Sequence, residues 1–283
     1  MIDQCRKCGA TVPINQRACA VCNTDAGFPN VRVANRPMEV AALATRYNGA
    51  RASAVARGVE GKIDAFEAAV AVSKAVMNRS LGALSDWLNG TSPLFLSFHN
   101  QVRHLGRVPS ENEWDQQREA AESTINPYYF QELNFAALTL DGRGLSYYGS
   151  YSVTLKSVTI EDRASVFEKN PFYFNRVHHV VSGQAPPVGY RSSWQARGRL
   201  AVAKLQAMIT AGTSLAQFAD VLMEPRRNES DCDFVEVHIY GPINRLCIEC
   251  IMGPEPTRGA DRVIWRQVIR KAKEYGAVVE VTA

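Results

Sequence analysis

The segment CRKCGATVPINQRACAVCN fixes its own fold more tightly than any other part of the chain. Cys5 and Cys8 form one CxxC pair, Cys19 and Cys22 a second, and ten residues separate the pairs. Each pair can wrap one side of a tetrahedral ion, and Gly9 and Asn23 follow directly, where the chain must make the tight turns of a metal knuckle. About 25 residues are too few to build a core of their own, so a closed four-thiolate zinc site is expected to hold a ribbon together structurally. Disulfides would need an oxidising compartment, and the opening MIDQCRKCGA lacks the basic-then-apolar layout of a secretory leader. No run approaches 18 consecutive apolar residues, so no membrane span is expected and a cytoplasmic location is.

Charge narrows the field less. The net charge of the 283 residues is +4; residues 1–60 hold eight Lys or Arg against four Asp or Glu, and the remainder balances at 24 against 24. A mild N-terminal excess fits a surface that meets phosphate, but it is weaker than the basic stripe of a dedicated nucleic-acid binder.

Periodicity then divides the chain into a ribbon over 1–28, a helical segment over 29–90 and an α+β domain over 91–283. Val40, Leu43, Tyr47 and Val55 recur at helical spacing, and Phe66, Val70, Ser73, Met77, Leu81, Leu84 and Leu88 form a second stripe, which predicts two helices. Gly90-Thr91-Ser92-Pro93 breaks the pattern and marks the boundary. A capping-box match from Ser110 to Glu113 starts another helix that stops before Asn126-Pro127. FAALTLDGRGLSYYGSYSVTLKSV reads as strand, turn, strand, residues 191–211 as a helix, and SLAQFADVLM as a shorter one. DFVEVHIYG and RLCIECIM follow as β-like runs, then a helix closed by Gly276 and a last strand AVVEVT.

The usual engines are absent: no GxxxxGK[ST] loop, no GxGxxG after a strand, no HExxH and no GxSxG elbow. What remains is a stretch from Arg143 to Asn170 dense in rings, hydroxyls and guanidinium groups, a composition suited to a phosphorylated aromatic ligand. In DFVEVHIYG the period-2 rule sets Phe234, Glu236, His238 and Tyr240 on one face and Val235, Val237 and Ile239 on the other. The apolar face explains the strand; Glu236 needs a reason of its own, the bland one being a solvated face. Cys247 and Cys250 in an apolar run are expected to be buried thiols, and His178-His179 would point to opposite sides of an extended segment.

YGSYSVTL, then IEDRASVFEKN, then a strand with one central Glu in DFVEVHIYGPI, resembles the bacterial ADP-ribosyltransferase toxins over roughly residues 130–283. The likeness is to the branch that modifies nucleic-acid bases within toxin–antitoxin and anti-phage systems. It implies a split mixed or antiparallel sheet with flanking helices, NAD as substrate, a nucleic-acid acceptor and a neutralising antitoxin protein. By the same resemblance Glu236 is the catalytic carboxylate and Arg163 holds the NAD phosphates, with Arg143 as its competitor. Tyr148 or Tyr151 lies on nicotinamide, Ser165 braces the sugar or strand, Phe167 lines the pocket, and His99 stands as an NAD contact on a first strand. Phe234 occupies the place of the second Glu of the arginine-modifying branch, which disfavours protein arginine as acceptor. An NAD glycohydrolase or a protein ADP-ribosyltransferase on the same scaffold is an alternative, as is a non-catalytic nucleic-acid- or protein-binding adaptor whose zinc ribbon does the recognition.

Overall fold

The computed structural model describes residues 3–5, 7–104, 113–224 and 233–282, with the side chains of 113–116 left aside. Ser110 of the expected capping box and Cys232 lie outside the described residues. The ribbon is a pair of two-residue strands, β1 (Asp3–Gln4) and β2 (Thr11–Val12), around Cys5, Val12 and Cys19. Three helices follow, α1 (Pro29–Ala34), α2 (Pro37–Ala56) and α3 (Glu60–Ala71), then β3 (Lys74–Arg79), α4 (Leu81–Asn89), β4 (Leu94–Phe95), α5 (Phe98–Arg103) and α6 (Glu113–Ile125). The rest of the chain gives β5 (Leu133–Thr139), β6 (Tyr151–Leu155), β7 (Ala164–Phe167), α7 (Pro171–Val177), β8 (Arg191–Ser193), α8 (Arg197–Leu205) and α9 (Phe218–Leu222). It ends with β9 (Glu236–Tyr240), β10 (Ile243–Asn244), β11 (Ile248–Pro254), α10 (Gly259–Glu274) and β12 (Val278–Thr282).

Eight strands form one mixed sheet in the order β12-β11-β6-β3-β5-β9-β7-β8. Only the β11–β12 pair is parallel; the other neighbours run antiparallel. The α+β class with a mixed sheet, flanking helices and a preceding four-cysteine module is therefore as expected. β10 pairs with β4 in a separate two-stranded sheet.

The segment 62–88 is a correction. It is two helices with a strand between them, and β3 is a central strand of the large sheet. Met77 happens to continue the helical stripe of Phe66 and Val70, and a strand buried on both faces, as Ala75, Val76 and Met77 are, shows no alternation to betray it. β3 also sits between β5 and β6, so the expected strand-turn-strand is not a paired hairpin. The boundary drawn near residue 90 falls between α4 and β4, and elements on both sides of it share one sheet and one core. The helix expected from residue 191 begins later, because Arg191–Ser193 forms the edge strand β8.

Register sorts the two faces of the sheet. Ala136, Leu138, Val153, Leu155, Val166, Val237 and Ile239 face one way and pack with Ile63, Phe66, Leu200 and Leu205 of the helices as the main core. Glu236 stands opposite Ala137 of β5 and Phe167 of β7, and His238 opposite Phe135 and Ser165, so these side chains share the other face. The ribbon docks beside it. Ile14 packs on Val33, Tyr129 and Leu133, and Arg32 Nη2 donates to the carbonyls of Pro13, Ile14 and Gln16 at 3.1, 2.8 and 2.9 Å.

Candidate active site

A cavity of about 930 Å³ opens over β3, β5 and β9 and runs past the end of β3 toward α4 and β4. Glu236 lines it although only 5% of the residue is exposed. The solvated-face reading of Glu236 therefore fails: the carboxyl is buried at the wall of a cleft. Asn78, Arg79, Trp87, Phe135, Tyr147 and Tyr148 contribute other walls.

The Glu236 carboxyl is held from behind by a chain of buried polar groups. Arg191 can only donate, so Asn126 turns Oδ1 toward Arg191 Nη1 at 3.3 Å and Nδ2 toward His238 Nδ1 at 3.4 Å. His238 Nδ1 is then an acceptor and the ring proton sits on Nε2, which donates to Glu236 Oε2 at 3.3 Å. Behind Arg191, Glu39 Oε1 lies 3.4 Å from Arg191 Nε, and Glu39 Oε2 accepts from the Gly189 amide at 2.6 Å. Asn30 of α1 ties β7 to β9: its Nδ2 lies 3.2 Å from Ser165 Oγ, 2.9 Å from the His238 carbonyl and 3.0 Å from that of Arg163.

Electrostatics follow from this burial. Loss of water and then the charge of Arg191 push His238 down to about 3, so the imidazole is neutral. Loss of water and then the negative charge of Glu122 hold Glu236 well above the usual carboxylate range, with Arg118 acting the other way. The neutral imidazole of His238 therefore hydrogen-bonds the Glu236 carboxyl without forming an ion pair.

Glu122 is the residue that sequence reading missed. It lies on α6, is 4% exposed, and lines the same cavity. His99 Nε2 stands 2.7 Å from its Oε2, and Arg118 Nε 3.6 Å from its Oε1. Arg118 and Glu122 of α6 and Asn126 just past its end recur at four-residue spacing, and the Asn126 amide still donates to the Glu122 carbonyl at 2.9 Å, which sets all three on one side, toward β9. Nothing local marks Glu122, since α6 is rich in charged residues and its burial comes from distant contacts.

Of the residues singled out beforehand, Glu236 and Tyr148 line the cavity, and Tyr148 packs on Tyr147 with ring centroids 4.4 Å apart. Ser165 and Phe167 lie on the same sheet face, adjoining His238. Four others take different positions. His99 is on helix α5, not on a strand, and reaches the site only through Glu122. Arg163 sits at the Tyr240 end of β9, where its Nη1 donates to the carbonyls of Tyr240 and Pro242 at 2.9 and 2.8 Å; antiparallel pairing of β7 with β9 carries it away from Glu236. Tyr151 shares the core face with Val153 and Leu155, packs on Trp265 and donates to the Pro254 carbonyl at 3.1 Å. Arg143 is exposed in the turn after β5 and does not line the cavity.

The four ribbon thiols fit a metal. All lie within 4.8 Å of one another, with Cys5–Cys22 and Cys8–Cys19 sulfur separations of 3.6 Å. Four thiolates at tetrahedral zinc are about 3.8 Å apart, given Zn–S bonds of about 2.3 Å. Cys247 is buried and Cys250 half-buried, and the metal-ligand cluster found among the described residues is that of the ribbon. Among the described residues no helix is long and apolar enough to cross a membrane.

No protein-family model matches the chain, and no curated protein matches it. Among solved structures it is similar to Thermus sp. 2.9 DarT in complex with carba-NAD+, at 10% identity and a TM-score of 0.37, over 74% of this chain and 95% of that one.

Proposed function

We propose that this chain is an NAD-dependent ADP-ribosyltransferase that modifies a nucleic-acid base, with Glu236 as its catalytic carboxylate. The observation that carries the reading is the Glu236 carboxyl, buried on a central strand at the wall of a 930 Å³ cleft. Ligand sites of this kind span about 300–1,000 Å³, so a dinucleotide can be held and largely desolvated there.

The chemistry follows from charge. NAD carries a cationic nicotinamide, and a cation beside Glu236 favours the carboxylate form that burial alone opposes. As the bond from C1′ to nicotinamide breaks, positive charge moves to the ribose, and a carboxylate fixed on a strand stabilises it without reorganisation. His238, donating through Nε2, fixes the orientation of Oε2. Among the described residues, Arg79 and Arg118 are the guanidinium groups at the cavity and suit the diphosphate; Tyr147 and Tyr148 offer ring faces for a heterocycle. A zinc ion on Cys5, Cys8, Cys19 and Cys22 would supply a structural cross-link, and Ile14 and Arg32 carry the ribbon against the body of the protein. In a cell, an enzyme of this kind would act as a toxin or anti-phage effector and require a neutralising partner protein.

A second reading, an NAD glycohydrolase, is favoured by one observation: a second carboxylate, Glu122, lines the same cleft and could activate water. Mass spectrometry of nucleic acid from cells expressing wild type or Glu236→Gln separates the cases. An ADP-ribose adduct with the wild type alone supports transfer. Loss of NAD without an adduct supports hydrolysis, and neither effect would leave the non-catalytic adaptor.

A further inference from the structure

We propose that Glu122 is the general base of the transfer, the group that takes the proton from the attacking acceptor while Glu236 stabilises the ribosyl cation. The inference rests on the transferase reading above and deepens it by dividing the work between two carboxylates.

Placement comes first. Asn126 touches His238, and Glu122 lies one turn back on the same side of α6, so α6 stands over the face of the sheet that bears Glu236. Glu122 approaches from a helix and Glu236 from a strand, and both line one cavity. A substrate seated there meets buried carboxyl groups from two separate elements, with the exposed Asp86 of α4 also on the lining.

Their surroundings differ. Glu122 faces His99 of α5 at 2.7 Å and Arg118 of α6 at 3.6 Å, partners suited to an ionised carboxylate. Glu236 faces the neutral His238 of its own strand and the negative charge of Glu122, with Arg118 as the cation that acts on it. Two carboxyl groups held by different partners at one cavity are an arrangement that allows different roles. A purely structural ion pair would have no reason to leave the Glu122 carboxyl at the wall of this cavity, where its charge acts against ionisation of Glu236.

The step balances without a further reactant. The C1′–N bond breaks and nicotinamide leaves with the electron pair as a neutral molecule. A lone pair of the acceptor N–H or O–H closes on C1′, and the acceptor proton passes to a Glu122 oxygen, then to water. His99 is a positioning residue in this scheme: it holds Oε2 and leaves Oε1 with Arg118.

An acceptor that is already an anion needs no base, which gives the test. Purified wild type, Glu122→Gln and Glu236→Gln are incubated with NAD and nucleic acid, with and without sodium azide, and nicotinamide, nucleic-acid adduct and ADP-ribosyl azide are measured. Glu122→Gln should lose adduct formation by about 10²- to 10⁴-fold. Azide should restore turnover to it, as ADP-ribosyl azide, far more than adduct formation is restored, with the acid limb of that reaction moved to lower pH because a negative charge facing Glu236 is gone. Glu236→Gln should be restored by nothing. If Glu122→Gln transfers normally to nucleic acid, or loses the azide reaction as well while still binding NAD, the proposal is overturned. If Glu122→Gln does not fold, Glu122→Asp serves: its shorter reach should lower adduct formation and spare azide, and equal loss of both overturns the proposal. A wild type that releases no nicotinamide with any acceptor overturns the transferase reading itself, an outcome distinct from failure of Glu122 alone.

Discussion

Removing either member of the buried Glu236–His238 pair should unmask a proton linkage that the other hides. Glu236 keeps a proton in the folded state above the ordinary value of 4.5, where the unfolded chain has lost it. Its contribution therefore makes stability fall as pH rises from 4.5 toward its folded-state pKa. His238 is at about 3 when folded against 6.5 when free, so the unfolded chain binds a proton that the folded chain refuses. Its contribution makes stability fall as pH drops from 6.5 to about 3. Each uncompensated proton is worth about 1.4 kcal/mol per pH unit. Where the two windows overlap, above 4.5 and below 6.5, the proton kept by the carboxyl offsets the one refused by the imidazole, so the two slopes oppose each other in the wild type. Glu236→Gln leaves the histidine slope alone and should lose stability relative to wild type as pH falls from the folded-state pKa of Glu236 to 4.5, at about 1.4 kcal/mol per pH unit. His238→Gln, after a constant packing cost, should gain on wild type as pH falls below 6.5, approaching about 5 kcal/mol near pH 3. Urea denaturation followed by tryptophan fluorescence at constant ionic strength reads both, and contributions common to all three proteins, including the ribbon, cancel in the differences. The pH at which the Glu236→Gln difference levels off is the folded-state pKa of Glu236. A constant offset between Glu236→Gln and wild type from pH 4.5 to 6.5 would show an ordinary, hydrated carboxyl and refute the reasoning.

Three further outcomes test the frame around the site. Elemental analysis should find one zinc per chain, and Cys19→Ser, which replaces a thiol 1% exposed, should abolish it and expose the ribbon to protease while the large sheet survives. Ile14→Ala should cost about 2–4 kcal/mol and loosen the ribbon, because Ile14 is packed on Val33, Tyr129 and Leu133; an unchanged denaturation midpoint would mean that the ribbon is not docked. Lys204→Met should destabilise by about 3 kcal/mol, because it removes the buried ammonium from Asp233. Lys204 Nζ also ties down the start of β9, donating to Asp233 Oδ1 at 2.7 Å and to the carbonyls of Glu168 and Phe234 at 2.7 and 3.0 Å; burial lowers it to about 8.

The sequence by itself determined the parts whose causes are local. Two CxxC pairs ten residues apart bring four thiols together in a cluster that fits a metal, because the ligands are near neighbours along the chain. Alternation in DFVEVHIYG separates Glu236 from Val237 because a strand's pleat has a period of two. The same rule held a warning about Tyr151, which keeps step with Val153 and Leu155 and so belongs to the core face. Tertiary structure decided the rest, because burial is a property of what packs against a residue. β3 is a strand because β5 and β6 supply hydrogen bonds on both sides, against a side-chain spacing that also suits a helix. Arg163 has the residue type for phosphate, yet antiparallel pairing places it at the other end of β9, bonded to backbone. Glu122 is one charge among several on a polar helix until α6 folds over the sheet and sets it, buried, on the wall of the cavity that Glu236 also lines.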